Sequence, residues 1–320
     1  MKKKLLIIKM GYSETLDRAL SVTTSLGDVL RTTFILNYYK DWKVDWLVDG
    51  RAQQLLERNK YINRIFVYHP AIIDELKKQT YDLVINLEKI PEACFLSDSL
   101  NAKQRLGFGL KESSRHEKDY FNYIVGDGRL LEICRQRSKK KLNHHCFQGI
   151  LAKVLKQTWK GERYILGYKP VSKIRYDIGF NWTTSNKWVN KSWPKSHWQS
   201  LESLLKNKYT ISWQKGLSNI FNYIEWINSC RMVVTADTLG LHICLALGKK
   251  VIALFGPTSH WEIYPYDCGS YILPESGYKC IPCLKPVCNK KKMCMEYILP
   301  QTVKERIEND FKIRIPSGKI

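Results

Sequence analysis

Short apolar runs alternate with longer stretches of helical periodicity along most of this chain. The runs contain few polar residues, as strands buried on both faces of a parallel sheet do. Strands are predicted at residues 5–8, 44–48, 64–68, 83–86, 103–110, 176–180, 208–213, 232–235 and 251–255. Helices are predicted at residues 28–36, 52–58, 72–79, 131–156, 198–205, 220–228 and 239–247. This alternation predicts an α/β fold with parallel sheets.

The pattern of strand and helix begins twice, once near the N-terminus and again after Lys169-Pro170. A chain of 320 residues is long enough for two cores of ordinary size. We therefore predict two doubly wound domains, residues 1–168 and residues 169–320. A ligand is expected in the cleft between two such domains.

Residues 231–258 form the clearest unit of strand, helix and strand. Asp237 and Thr238 lie where its first strand ends and its helix begins, and Gly248 stops that helix. Ligands of parallel sheets bind outside the carboxyl ends of the strands, where a helix N-terminus favours phosphate. Asp237 and Thr238 are therefore candidates for phosphate binding, although Asp and Thr at this position also commonly cap a helix.

The charge balance indicates an anionic partner. Fifty-two basic and thirty acidic residues give a formal net charge of +22. A phosphorylated sugar, an anionic membrane surface and a nucleic acid all fit such a charge. The basic residues form no single stripe, which disfavours a nucleic acid. No apolar run has the length of a membrane span, and the run before Lys9 is too short for a signal peptide, so a cytoplasmic protein is expected.

Four of the ten cysteines crowd into residues 280–294. They are Cys280, Cys283, Cys288 and Cys294. A Cys-x-x-Cys pair followed by two further cysteines is typical of a tetrahedral metal site. We predict a structural Zn²⁺ or mononuclear iron with all four positions filled by thiolates, and reduced thiols or disulfides are the alternative.

Four short blocks follow one another along the chain. They are Ser25-Leu26-Gly27-Asp28-Val29-Leu30; Thr183-Thr184 with Lys191-Ser192-Trp193-Pro194 and Trp198; Asp237-Thr238 with His242; and Phe255-Gly256-Pro257-Thr258. Together they resemble the ADP-heptose:lipopolysaccharide heptosyltransferases of glycosyltransferase family 9. The resemblance implies a GT-B architecture of two facing Rossmann-like domains, with acceptor contacts in the N-terminal domain and donor contacts in the C-terminal one. It also implies inverting transfer of a heptose from ADP-heptose, with no metal ion at the donor diphosphate.

The resemblance also implies roles for single residues. Asp28 matches the family's catalytic aspartate, the base that takes the proton of the acceptor hydroxyl. Lys9, at the end of the first predicted strand, is expected on the acceptor side with Ser25 and Gly27. The expected donor-binding residues are Thr183, Thr184, Lys191, Asp237, Thr238, Gly240 and His242.

Three features depart from the family pattern. Leu239 stands where the family has a glycine after Asp-Thr, and the glycine follows one place later as Gly240. Extra residues separate Thr184 from Lys191, so Lys187 competes for the role of the phosphate-binding lysine. The loop at residues 10–24 is long, and we expect it to adapt the enzyme to an unusual acceptor.

The function predicted from the sequence is heptosyl transfer to a hydroxyl of a lipopolysaccharide core, another glycan or a protein. The predicted partners are ADP-heptose or another nucleotide sugar, an anionic acceptor, and the inner face of the inner membrane through peripheral contact. Two alternatives stay open: a catalytically inactive family member, and a basic nucleic-acid-binding protein with a four-cysteine metal site.

Overall fold

The computed structural model describes residues 2–12, 23–110, 123–216 and 219–312. The chain divides into two compact units. The first consists of Met1–Lys169 with Trp261–Tyr264, and the second of Pro170–His260 with Pro265–Ile320. A short segment of the C-terminal half of the chain therefore belongs to the first unit.

The first unit is built on a six-stranded sheet in the order β3-β2-β1-β4-β5-β6. Its strands are β1 (Lys4–Ile8), β2 (Lys43–Val48), β3 (Arg64–Val67), β4 (Thr80–Asn86), β5 (Asn101–Gly109) and β6 (Tyr123–Val125). Neighbouring strands run parallel except β6, which pairs antiparallel with β5 at the edge. The side chains of residues 5–8 in β1 are fully buried, as a central parallel strand requires.

The helices of the first unit are shorter than the sequence predicts. They are α1 (Leu26–Thr32), α2 (Gln53–Leu56), α3 (Ile72–Lys77), α4 (Pro91–Ser99), α5 (Arg129–Arg135), α6 (Arg137–Lys141) and α7 (Phe147–Val154). The single helix predicted at residues 131–156 is wrong, because the backbone is extended at Gln136 and Cys146 and divides it into three. The cationic α6 buries none of its residues, so no apolar face holds a continuous helix there.

The second unit has a five-stranded, fully parallel sheet in the order β11-β10-β9-β7-β8. Its strands are β7 (Tyr176–Asn181), β8 (Ile211–Trp213), β9 (Cys230–Ala236), β10 (Lys250–Leu254) and β11 (Gly269–Ile272). Its helices are α8 (Lys195–Leu205), α9 (Ile220–Asn228), α10 (Leu239–Leu247) and α11 (Pro300–Lys312). The predicted unit of strand, helix and strand is confirmed as β9, α10 and β10, and Gly248 ends α10 with a φ of 66°.

An aromatic cluster forms much of the core of the second unit. The ring of Trp198 on α8 lies 4.9 Å from that of Trp193 and 5.2 Å from that of Phe180, measured between centroids. The buried Val303 and Ile307 of α11 belong to the same core. The two units are therefore both of the α/β class, with sheets that are wholly or mainly parallel. None of the helices within the described ranges is long and apolar enough to cross a bilayer.

Candidate active site

The strand order of the first unit reverses between β1 and β4, and ligands of open parallel sheets bind at such a point. Lys9 follows β1 directly, and Glu88 lies two residues after the end of β4. Asp28 lies in the first turn of α1. The three ionisable side chains are therefore brought to the same edge of the sheet from three separate elements.

These side chains form a buried ionic cluster. The ammonium of Lys9 forms an ion pair with the Asp28 carboxylate and lies 3.4 Å from Oε1 of Glu88. Arg31, one turn further along α1, places its Nη2 atom 2.6 Å from Oδ1 of Asp28. The exposed fractions of Lys9 and Asp28 are 3% and 5%, and Glu88 is completely buried. Charges this deeply buried are stable only when they are paired.

The pairing fixes the charge state of the cluster. Burial alone would raise the pKa of Asp28, but the charges of Lys9 and Arg31 outweigh it and hold that pKa well below its usual range. Burial alone would lower the pKa of Lys9, but the carboxylates of Asp28 and Glu88 raise it. Asp28 is therefore an ionised carboxylate at neutral pH, as a general base has to be.

A cavity of the first unit opens beside this cluster. Its charged lining consists of the cations Lys9, Arg31, Lys89 and Lys140 and the carboxylates Asp28 and Glu262. The remaining walls are mostly apolar and include Phe108, Leu130, Ile133, Phe147, Ile150 and Leu151. Burial lowers the pKa of Lys89. The cavity combines an apolar wall with a few charged groups, a composition typical of ligand sites.

The segment Trp261–Tyr264 completes one side of this cavity. Glu262 lies 3.6 Å from the ammonium of Lys140, and the ring of Trp261 stacks on His144 at a centroid distance of 4.9 Å. Tyr264 meets the edge of Trp159 at 4.8 Å. Three contacts therefore hold the segment against the first unit.

Two other predicted acceptor residues lie at the start of α1. Ser25 occupies the N-cap position of the helix, and its backbone N–H donates to the carbonyl of Gly11 at 2.8 Å. Gly27 lies in the first turn, next to Asp28. Most of the loop predicted to contact the acceptor, residues 13–22, lies outside the described residues.

The strand order of the second unit reverses between β7 and β9. Asp237 follows β9, and its Oδ2 atom accepts a hydrogen bond of 2.9 Å from the ammonium of Lys191. The same ammonium donates to the backbone carbonyl of Asp237 at 3.0 Å. Burial alone would raise the pKa of Asp237, but the charge of Lys191 and the electrostatic effect of His242 lower it to about 2. The structure therefore places Lys191 beside the N-terminus of α10, and its role as the phosphate-binding lysine stays a prediction.

A buried polar network lies beneath that helix N-terminus. Thr238 is the N-cap of α10, and its hydroxyl accepts a hydrogen bond from the backbone N–H of Gly240 at 3.3 Å. The Asn181 amide donates to the Thr238 hydroxyl at 3.0 Å and accepts from the Tyr223 hydroxyl at 2.8 Å. A Cβ atom at position 240 would lie 2.4 Å from the Asn181 amide nitrogen and 2.5 Å from the Tyr223 oxygen. Gly240 is therefore required by packing against this network.

The other predicted donor residues lie on the segment after β7 and on α10. The Thr183 hydroxyl donates to the Gln214 side chain at 2.8 Å, and the hydroxyls of Thr184 and Ser192 lie 2.5 Å apart. His242 is buried one turn into α10. Lys187 is also buried, in the 3-10 helix that leads to Lys191.

The cysteine segment packs beside the donor residues. The backbone N–H of Asn190 donates to the Pro286 carbonyl at 2.9 Å, and its side-chain amide donates to Sγ of Cys283 at 3.5 Å. Gly256 accommodates the sulfur atoms of Cys294 and Met295, since a Cβ there would lie 2.7 Å from each. This packing gives a structural reason for the glycine in the Phe255-Gly256-Pro257-Thr258 block.

The four cysteines influence one another electrostatically. Burial, together with the neighbouring Cys283, Cys288 and Cys280, raises the pKa of Cys294 to about 11. Throughout the ranges that the structure describes, however, no three side chains of His, Cys, Asp or Glu converge as metal ligands. The thiols are neighbours without forming a ligand set, and the predicted metal stays a prediction.

Sequence analysis alone missed several residues of both clusters. Glu88 and Lys89 follow β4 and are recognisable only once β4 is known to neighbour β1. Arg31 had a signal in the sequence, because it lies three residues after Asp28 on the same helix. Asn181 and Tyr223 look like ordinary strand and helix residues, and only the tertiary structure joins them.

Comparisons with known proteins support the predicted resemblance. Residues 216–294 match the family model of glycosyltransferase family 9 (heptosyltransferase). Lipooligosaccharide heptosyltransferase 2 of Campylobacter jejuni serotype O:2 is 29% identical over 84 residues, which are 26% of this chain and 26% of that protein. The chain thus spans about a quarter of this curated relative. Lipopolysaccharide heptosyltransferase 1 of Escherichia coli O18:K1:H7 is 22% identical over 80% of this chain and 90% of its own length.

Solved structures share the fold. A glycosyl transferase family 9 protein of Veillonella parvula aligns with a TM-score of 0.66 at 16% identity, covering 96% of both chains. The E. coli heptosyltransferase WaaC with ADP-2-deoxy-2-fluoro heptose aligns with a TM-score of 0.61 at 18% identity, covering 96% of this chain and 99% of that chain. The resemblance to family 9 heptosyltransferases and the α/β fold class of GT-B type are confirmed.

Proposed function

We propose that this protein is an inverting glycosyltransferase that moves a heptose from ADP-heptose to a hydroxyl of an anionic glycan or protein acceptor. The observation that carries the proposal is the ionised Asp28 carboxylate at the cavity of the first unit. A similar heptosyltransferase was solved with an ADP-heptose analogue, which supports the choice of donor.

The reaction needs one base and one stabilised leaving group. The acceptor oxygen attacks the anomeric carbon and forms the new glycosidic bond, while the proton of that hydroxyl passes to the Asp28 carboxylate. The bond from the anomeric carbon to the phosphate oxygen breaks, and its electron pair leaves with the ADP. Attack from the face opposite the leaving group inverts the configuration.

The donor residues of the second unit suit a diphosphate without a divalent ion. Lys191 provides a positive charge next to the N-terminus of α10, where the backbone N–H groups and the helix dipole attract an anion. The hydroxyls of Thr183 and Thr184 lie on the loop after β7, at the neighbouring strand end. In this proposal Asp237 holds the Lys191 ammonium in place between turnovers.

The acceptor is proposed to carry negative charge. Lys9, Arg31, Lys89 and Lys140 line the cavity against two carboxylates, so the lining has an excess of positive charge. The net charge of +22 also favours peripheral contact with an anionic membrane surface, where a lipid-linked acceptor would lie. Lipopolysaccharide core sugars satisfy both conditions.

The cysteine segment is proposed to hold a structural metal ion, Zn²⁺ or iron. The proposal rests on the spacing of the four cysteines within one short segment, since their side chains do not converge as a ligand set in the described residues. Such an ion would stabilise the segment that contacts Asn190, next to Lys191, and would supply no chemistry to the transfer. Metal analysis of the purified protein tests this, with one ion per chain expected and its loss expected in Cys283→Ser.

Calorimetric titration with ADP-heptose, GDP-sugars and UDP-sugars tests the proposed activity. We expect selective binding of ADP-heptose, weakened at least tenfold by Lys191→Ala, and release of ADP when an acceptor is added. Binding without turnover would indicate an inactive family member. A folded protein that binds no nucleotide sugar would refute the proposed function.

A further inference from the structure

The Lys9 ammonium is shared between two carboxylates, of which the proposed reaction uses only one. Asp28 forms its ion pair with Lys9 from α1, and Glu88 lies 3.4 Å from the same ammonium on the segment after β4. Glu88 is completely buried, a costly position for a carboxylate. The burial of the Glu88 carboxylate therefore needs an explanation.

The two oxygens of Glu88 have different surroundings. Oε1 accepts hydrogen bonds from the backbone N–H groups of Gly11 at 2.6 Å and Tyr12 at 3.3 Å, and it is the oxygen closest to Lys9. Oε2 is buried, and it has no hydrogen-bond partner among the described residues. One oxygen of this carboxylate therefore accepts no hydrogen bond within the described part of the chain.

Proton transfer would change the charges around Lys9. Asp28 loses its negative charge when it accepts the acceptor proton, and the buried ammonium of Lys9 then loses its closest counter-charge. An uncompensated buried ammonium is strongly unfavourable. Glu88 is already positioned to take over as its counter-ion, with a second oxygen available.

Other charged groups also face Asp28. Arg31 approaches from α1 itself. The same cavity is lined by Lys89 of the segment after β4, by Lys140 of α6 and by Glu262 of the segment Trp261–Tyr264. Glu88 is distinguished from all of these because it contacts the cation that Asp28 holds most closely.

We propose, building on the proposed function, that Glu88 is a positioning residue that shares Lys9 with Asp28 and receives it when Asp28 takes the proton. Without Glu88, the positive charge of Lys9 would act on the Asp28 carboxylate only, and Asp28 would be a weaker base. Glu88 thus keeps Asp28, which is paired with Lys9 and Arg31, basic enough to take the proton of the acceptor hydroxyl.

The first test compares turnover in Glu88→Gln and Glu88→Asp. Glu88→Gln keeps the size of the side chain and removes its charge, and we expect kcat to fall at least tenfold while the Kd for ADP-heptose stays within twofold. Glu88→Asp keeps the charge and should recover part of the loss. Glu92→Gln, the same change at an exposed position of α4, is the matched control and should leave kcat unchanged.

The second test needs no turnover. The NMR signal of the Asp28 side-chain carboxyl carbon is followed as a function of pH, and it is assigned by its absence in Asp28→Asn. The titration is carried out in Lys9→Met and in the double variant Lys9→Met with Glu88→Gln. Like charges oppose ionisation, so the midpoint should lie at least one pH unit higher in the single variant. Lys9→Gln replaces Lys9→Met if the latter does not fold.

The results separate the two proposals. Equal midpoints in the single and double variants, or a Glu88→Gln enzyme with the kcat of the wild type, would overturn the role of Glu88. If the midpoint shifts but the protein transfers no sugar, the coupling between Glu88 and Asp28 is supported and the proposed glycosyltransferase activity is refuted.

Discussion

Replacing Gly240 with alanine should destabilise the second unit through a single added methyl group. The new Cβ would lie 2.4 Å from the Asn181 amide nitrogen and 2.5 Å from the Tyr223 hydroxyl oxygen. Both distances are far below van der Waals contact, and the two atoms belong to side chains that are hydrogen-bonded to each other. At least one of these side chains has to move away from the network.

The magnitude follows from three contributions. Overpacking of a filled interior costs about 1–3 kcal/mol. Disrupting a buried hydrogen bond adds roughly 1–3 kcal/mol, because an unpaired polar atom is left behind. Alanine has a better helix propensity than glycine, which offsets about 1 kcal/mol. The expected net loss is about 1–5 kcal/mol in the free energy of unfolding, or a decrease of roughly 2–20 °C in the melting temperature of a unit of this size.

Differential scanning calorimetry measures this change directly. Gly277→Ala is the matched control in the same unit, because an added Cβ there meets no atom within 4 Å. A Gly240→Ala protein that melts within about 1 °C of the wild type would refute the packing argument. If ADP-heptose binding were lost at unchanged stability, the glycine would serve phosphate approach instead, which is the reason the sequence alone suggested.

Three further predictions concern the second unit. Lys191→Met leaves the Asp237 carboxylate, whose side chain is 13% exposed, without its cation. We therefore expect a loss of about 1–3 kcal/mol in unfolding experiments and weaker ADP-heptose binding. Lys187→Met should retain most of the binding. Because the pKa of Asp237 is lowered from 3.8 to about 2, its contribution to stability is complete above pH 4 and is lost as the pH falls toward 2. Urea unfolding between pH 2 and 5 should show this slope, and Asp237→Asn should reduce it. Trp193→Phe removes the indole hydrogen bond of 2.9 Å to the Ile298 carbonyl, and thermal unfolding should show a loss of about 1–3 kcal/mol.

The sequence predicted most strands because each buried strand is a short apolar run. The helix of residues 220–228 was predicted with its observed ends, since Asn219 caps it and its apolar spacing is regular. The helix Pro91–Ser99 and the edge strand Tyr123–Val125 were not predicted. Neither has a strong periodic pattern, and a short edge strand depends on its neighbour for pairing.

The candidate site was predictable only in part. The motifs placed Asp28, Lys191 and Asp237, and the structure brings the last two into contact. Glu88 could not have been found, because nothing in its sequence neighbourhood says that β4 lies beside β1. Strand order is set by packing across the whole unit, and a linear pattern does not encode it locally.

The membership of Trp261–Tyr264 in the first unit has a consequence for how the protein is made. A chain leaving the ribosome forms its N-terminal domain first in most proteins. Here Glu262, the partner of Lys140, and Trp261, which stacks on His144, are synthesised only after most of the second unit. One side of the cavity in the nascent first unit therefore stays open until residues 261–264 have been synthesised. The Asp28 cavity is thus completed only when most of the second unit has already been synthesised.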